Sequence, residues 1–138
     1  MSEGREIFVF GSNRAGRHGK GAALFARQNH GAIYGRGEGL QGSSYAIPTK
    51  DENIRTLPVD DIAAHVVTFI EFALSHPHLK FKVTPIGCGL AGYKPKDIAW
   101  MFDAPCPRNV ILPPEFEAEI GSGSQLADAT PKSNPRGQ

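Results

Sequence analysis

Val83-Thr84-Pro85-Ile86-Gly87-Cys88-Gly89-Leu90-Ala91-Gly92-Tyr93 decides the fold. An apolar strand, read from Phe81 to Ile86, runs straight into a turn with glycine at every second or third place. Glycine accepts backbone angles closed to other residues and lets a ligand approach the main chain. Strand ends that open into glycine-rich loops are where α/β proteins commonly hold phosphates and nucleotides. The turn is therefore read as one that wraps a diphosphate. Its candidate ligand-binding residues are Gly87, Cys88, Gly89, Leu90, Ala91, Gly92 and Tyr93.

Upstream, Ile7-Phe8-Val9-Phe10 is a continuous apolar run, as expected of a strand buried on both faces of a parallel sheet. Gly11-Ser12-Asn13 ends it, and a basic glycine-rich loop follows from Arg14 to Gly21. Ala22 to Asn29 reads as a helix closed by His30-Gly31. Strand, glycine loop and helix N-terminus together make an anion site, because free N–H groups and the positive end of the dipole point the same way. The loop is not a nucleoside-triphosphate P-loop. Counting back from Lys20 puts Arg14 where the first glycine belongs, and Gly21 stands where Ser or Thr should hold magnesium.

Between these two turns, Ser44 to Lys50 is a further strand, with Pro48 marking an edge or a strand end. Gly37 to Gly42 matches GxGxxG but precedes a strand, so it is a mobile surface loop or a ligand lid, with neither preferred. Pro58-Val59-Asp60-Asp61 starts a helix. Ile62, Val66, Phe69, Ile70, Ala73 and Leu74 then give it one apolar face, and Ser75-His76-Pro77 ends it. Downstream, Lys96 to Phe102 is a short helix, Pro105-Cys106-Pro107 a turn, and Asn109 to Leu112 a last strand. From Glu117 the apolar residues thin out, so residues 1–116 are read as one domain and 117–138 as a disordered tail.

Alternating strands and helices imply an α/β fold, a largely parallel sheet between helical layers. The ligand in such sheets lies outside the carboxyl ends of the strands. Four segments meet there by topology: Gly11-Ser12-Asn13, Gly19-Lys20-Gly21, Thr49-Lys50, and Gly87 to Tyr93.

The 138 residues suffice for one domain with about two-thirds of its surface buried. A net charge of +1 leaves no electrostatic argument for nucleic acid or membrane, so an anion must be held by local features. Cys88 and Cys106 make neither a metal pattern nor a disulfide framework and read as reduced, in a cytoplasmic protein. No apolar run reaches membrane-spanning length, and nothing before Ile7 reads as a signal peptide. His65, His76 and His78 are surface or helix-end residues without ligand-spaced partners, so no metal or cofactor is expected. The oligomeric state is open.

Three ordered segments resemble the macrodomain family, which binds ADP-ribose and related NAD metabolites. Phe8 to Asn13 resembles the family's first-strand segment, whose terminal Asn contacts the distal ribose. Arg17 to Phe25 resembles its glycine loop and helix, and Pro85 to Leu90 its phosphate loop. The resemblance covers Ile7 to Leu112 and implies a three-layer α/β/α fold with a mostly parallel sheet. It also implies an ADP-ribose-like small molecule or ADP-ribosylated macromolecule as partner. It assigns ligand contacts to Gly11, Ser12, Asn13, Gly19, Lys20 and Gly21 besides the Gly87 turn.

Ile47-Pro48-Thr49-Lys50 is similar to the Thr-Lys strand end of the terminal ADP-ribose glycohydrolase and DNA-ADP-ribose hydrolase branch, which makes Lys50 the candidate catalytic residue. The branch's Asp after Gly-Cys-Gly-Leu is here Ala91, and its adenine-contacting Asp upstream of the first strand has no counterpart. A partly neutral lysine attacks the anomeric carbon of ribose, and a carboxylate would move the protons. Asp51, Glu38 and Asp97 stand open as substitutes. Cys88 lacks a nearby His to make it a nucleophile, so its backbone N–H is expected to matter more than its thiol. Tyr93 either covers the ligand or packs the loop. Hydrolysis of ADP-ribosyl adducts and non-catalytic binding of the nucleotide are both consistent with this pattern. A dinucleotide-using Rossmann enzyme fits Gly87 to Gly92 less well, because Pro95 breaks the continuous helix it requires.

Overall fold

The computed structural model describes residues 5–103 and 106–120. Five strands make one sheet: β1 (Arg5–Asn13), β2 (Gly39–Gln41), β3 (Ser44–Lys50), β4 (Leu79–Val83) and β5 (Val110–Ile111). The order across the sheet is β2-β3-β1-β4-β5. β1 runs parallel to β3 and β4, and β4 parallel to β5, while β2 pairs antiparallel with β3. Among the described residues the helices are α1 (Gly21–Asn29), α2 (Val59–Leu74), α3 (Pro95–Ile98) and α4 (Pro114–Ile120), with a 3₁₀ turn at Ala99–Phe102. The result is a three-layer α/β/α fold with a mostly parallel sheet.

Strand alternation divides the core. Ile7 and Val9 of β1 point to one face, where they join Ile62, Val66, Phe69 and Ala73 of α2 and Phe116 of α4. Phe10 points to the other and meets Ala23 and Ala26 of α1. α2 forms because Asp60 and Asp61 face its N-terminal dipole and one apolar stripe repeats at helical spacing. Leu74, expected on that stripe, is exposed. β4 begins two residues earlier and ends three earlier than the strand expected over Phe81–Ile86. Its residues alternate buried and exposed, so Lys80 and Lys82 face water beside the short α1.

Three further expectations are corrected. Part of the presumed loop from Gly35 to Gly42 is β2, held because the buried Gln41 side chain accepts from Ile33 N–H (2.8 Å) and donates to the Arg36 carbonyl (2.7 Å). The helix expected over Lys96–Phe102 is α3 followed by the 3₁₀ turn, its start fixed by the Asp97 carboxylate accepting from Lys94 N–H at 2.9 Å. The tail expected from Glu117 is helical as far as Ile120, because Phe116 is fully buried and α4 packs on the 3₁₀ turn. Residues 1–4, 104–105 and 121–138 lie outside the described residues, and with them the first residue of the Pro105–Pro107 turn and most of the expected tail.

β1 and β4 are neighbours whose carboxyl ends lead to opposite faces, β1 into α1 and β4 into α3. Loops that part in this way open a crevice over the strand ends.

Candidate functional site

That crevice is a cleft of about 850 Å³, within the size range of small-molecule sites. Both glycine turns line it. Gly11, Ser12 and Asn13 come from β1, Arg17, Gly19, Lys20 and Gly21 from the following loop, and Thr49 and Lys50 from β3. Gly87, Cys88, Gly89, Leu90 and Ala91 come from the turn after β4. Gly92 and Tyr93 are not among the lining residues. The Tyr93 hydroxyl donates instead to the Leu57 carbonyl at 2.7 Å, and its ring packs against the core. Tyr93 thus ties the turn to the connector before α2.

A register shift explains how adjacent side chains of β3 reach the cleft. Ser12 pairs with Pro48 and Asn13 with Lys50, so Thr49 is an extra residue in β3. Proline has no N–H for the ladder, and a bulge at a strand end redirects the side chains that follow. Thr49 and Lys50 are thereby both brought to the cleft, with the Thr49 hydroxyl donating to the Ser12 carbonyl at 3.2 Å. Pro48 lies two residues before the end of β3, on the stretch that β2 leaves unpaired, and the register shift follows it.

The loop after β1 is anchored by two side chains. Asn13 accepts from Arg17 N–H (2.9 Å) and donates to the Arg17 carbonyl (3.0 Å). His18 is fully buried, edge-on to Phe10, with Nε2–H donating to the Arg36 carbonyl at 3.0 Å. With both ends held, Arg17, Gly19 and Lys20 are presented outward at the start of α1. Lys20 stands at the helix cap without a side-chain hydrogen bond, so the first amides of α1 face the cleft with the positive end of the dipole.

The second turn is held by its own backbone. Tyr93 N–H donates to the Gly87 carbonyl (2.8 Å) and Gly92 N–H to that of Gly89 (3.0 Å). Cys88 N–H donates to the Pro85 carbonyl at 3.2 Å, so it is spent inside the turn rather than offered to a ligand. The amides of Gly89, Leu90 and Ala91 donate to no protein acceptor among the described residues. Burial, followed by the charges of Asp97 and Glu115, pushes the Cys88 thiol up to about 11. The thiol therefore stays protonated near neutral pH and is not an activated nucleophile. Burial alone pushes Cys106 up to about 11 as well.

None of the three carboxylates considered as a partner for Lys50 lines the cleft. Asp51 accepts from Asn53 N–H (2.8 Å) and Arg55 N–H (3.0 Å), closing its own turn. Glu38 accepts from His65 Nδ1–H at 2.8 Å, while Arg14 lies 3.3 Å from His65 Nε2. Asp97 caps α3. The lining carboxylate is Glu115 of α4, which sequence reasoning missed. Its signal was weak: a glutamate after Pro113-Pro114 reads first as a helix start.

The bonds made by Asp51 yield a pH prediction. Hydrogen bonding from Arg55 N–H, then from Asn53 N–H with help from the Arg55 and Arg14 charges, lowers the Asp51 carboxyl from its ordinary 3.8. A carboxyl lowered on folding contributes stability above its unfolded value and loses it as pH falls through its folded value. Asp51→Ala is expected to melt below wild type at neutral pH, with the two melting curves converging below about pH 4. A gap that persists undiminished into acid would assign the effect to the backbone rather than to the carboxylate.

No family model, curated protein or solved structure matches the chain. Among the described residues no helix is long and apolar enough to cross a membrane.

Proposed function

We propose that this protein binds ADP-ribose or a related NAD-derived nucleotide in the cleft over the strand ends, as a macrodomain-like module. The observation that carries the reading is the meeting of two glycine turns on one cleft. One turn brings the uncapped start of α1 with Arg17 and Lys20, and the other brings the unspent amides of Gly89, Leu90 and Ala91. Converging amides and cations around a cleft of this size suit a diphosphate. Asn13 and Lys50 would then stand beside the sugar beyond it. A cytoplasmic setting agrees with the free thiols of Cys88 and Cys106.

Titration calorimetry with ADP-ribose tests this. Binding is expected, and Arg17→Ala combined with Lys20→Ala should weaken it at least tenfold, about 1.4 kcal/mol. Both side chains are exposed, so the double variant should fold normally. Absence of binding, or equal binding by the double variant, overturns the reading.

Hydrolysis through Lys50 is the second reading, supported by Lys50 lining the same cleft as Asn13. Attack by the Lys50 amine on the anomeric carbon would expel the attached group with the bonding electrons, a proton carrier would have to meet that group, and water would then have to displace the ribosyl carbon from the amine to complete hydrolysis. Asp51, Glu38 and Asp97 are each engaged elsewhere, which favours binding over turnover. Mass spectrometry of ADP-ribosylated protein and DNA separates the two. Release abolished by Lys50→Ala supports hydrolysis, and intact adducts with retained binding support the module.

A further inference from the structure

The charge of the cleft is unevenly distributed. Its lining cations are Arg17, Lys20 and Lys50, and its lining carboxylate is Glu115. Lys50 ends β3, whereas Glu115 sits just beyond β5, with β1 and β4 between them. Four neighbouring strands at the usual spacing put those two strand ends about 14 Å apart. Lys50 and Glu115 thus line opposite flanks of the cleft. A ligand that spans the cleft from Lys50 would present its other end to Glu115.

Glu115 is also firmly based. Its neighbour Phe116 is fully buried and stacks on Phe102, ring centres 5.7 Å apart, which fixes the first turn of α4. The carboxylate acts back on the Gly87 turn, where its charge and that of Asp97 reach the Cys88 thiol.

We propose that Glu115 is a specificity residue that reads the nucleoside end of the ligand, accepting from its free hydroxyl or amino groups and turning away a nucleoside carrying an additional phosphate. This deepens the reading of the cleft as an ADP-ribose-like site and rests on it. An ionised carboxylate only accepts hydrogen bonds, so it matches donors and repels anions. A carboxylate at a ribose diol is a general device for separating unphosphorylated from phosphorylated nucleotides. The substrate class named here is thus a nucleoside diphosphate sugar with an unmodified nucleoside.

Calorimetry with ADP-ribose and with its 2′-phosphorylated relative tests the assignment on wild type, Glu115→Gln and Glu115→Lys. Wild type should prefer ADP-ribose at least tenfold. Glu115→Gln should cut that preference to a third or less, and Glu115→Lys should abolish or invert it. Glu115 is exposed, so unchanged melting is expected for both variants. If wild type binds ADP-ribose but the preference is absent, or stays within twofold of wild type in both variants, this inference alone is overturned. If wild type binds neither compound, the nucleotide reading of the cleft fails and takes this inference with it.

Discussion

Phe69→Ala is expected to lower stability by about 3–5 kcal/mol, the usual result of emptying a large buried aromatic site. Phe69 is fully buried on α2. Its ring meets Tyr45 of β3 at 5.0 Å and Phe81 of β4 at 5.4 Å between centres, edge to face, and Phe102 of the 3₁₀ turn at 6.4 Å. Aromatic pairs of this kind add about 0.5–1.5 kcal/mol beyond their burial. The site joins the sheet to α2 and to the helices behind β5, so no single element can collapse to fill the void. A domain of ordinary stability, about 5–15 kcal/mol, would lose a large share of it. Urea denaturation followed by circular dichroism measures this, with Phe69→Leu as the smaller change. A loss under about 1 kcal/mol for the alanine variant would mean that the core has another way to close.

The second large effect separates two glycines that look alike in the sequence. A Cβ on Gly37 would lie 2.3 Å from the Asn13 carbonyl oxygen and 2.8 Å from that of Arg14, both backbone atoms. The segment could admit alanine only by moving off the end of β1, breaking the hydrogen bond from the Ser12 hydroxyl to the Gly37 carbonyl. Gly37→Ala is expected to cost about 2–4 kcal/mol, from overpacking plus a lost hydrogen bond, and to weaken nucleotide binding through displacement of Asn13. A Cβ on Gly89 meets nothing within 4 Å. Gly89→Ala should therefore leave melting unchanged yet reduce ADP-ribose affinity about tenfold or more, because the added methyl stands where a phosphate would approach the amides. Thermal melting and calorimetry on the same two variants check both claims. Equal stability of the two, or full binding by Gly89→Ala, contradicts the roles assigned to them.

The layering and the parallel sheet were legible in the sequence because apolar runs end in glycine turns and one helix carries a regular apolar stripe. The gathering of the four predicted segments at the cleft followed from the rule that strand ends collect in α/β sheets. What escaped sequence reading depended on tertiary partners. β2 is three residues long, too short for alternation to register, and it exists because Gln41 finds backbone partners around it. The role of Tyr93 was open until Leu57 was seen to accept its hydroxyl. Pro48 read as a border signal and does lie where β2 leaves β3 unpaired, but the register shift beside it that brings Lys50 to the cleft depends on how β1 and β3 align. Glu115 looked like an ordinary helix-start carboxylate, and only the place of β5 beside β4 brings it to the cleft.

The brevity of β2 and β5 has a consequence for how the protein behaves at high concentration. Three residues close one flank of the sheet and two the other, so neither presents a long row of unpaired amides to a passing chain. Where β2 stops short, the bare stretch of β3 contains Pro48, which has no hydrogen to donate, and Lys50 is already bridged to Thr56. Growth of the sheet by recruiting strands from other molecules is blocked at both borders, and crowded solutions should stay free of fibrils.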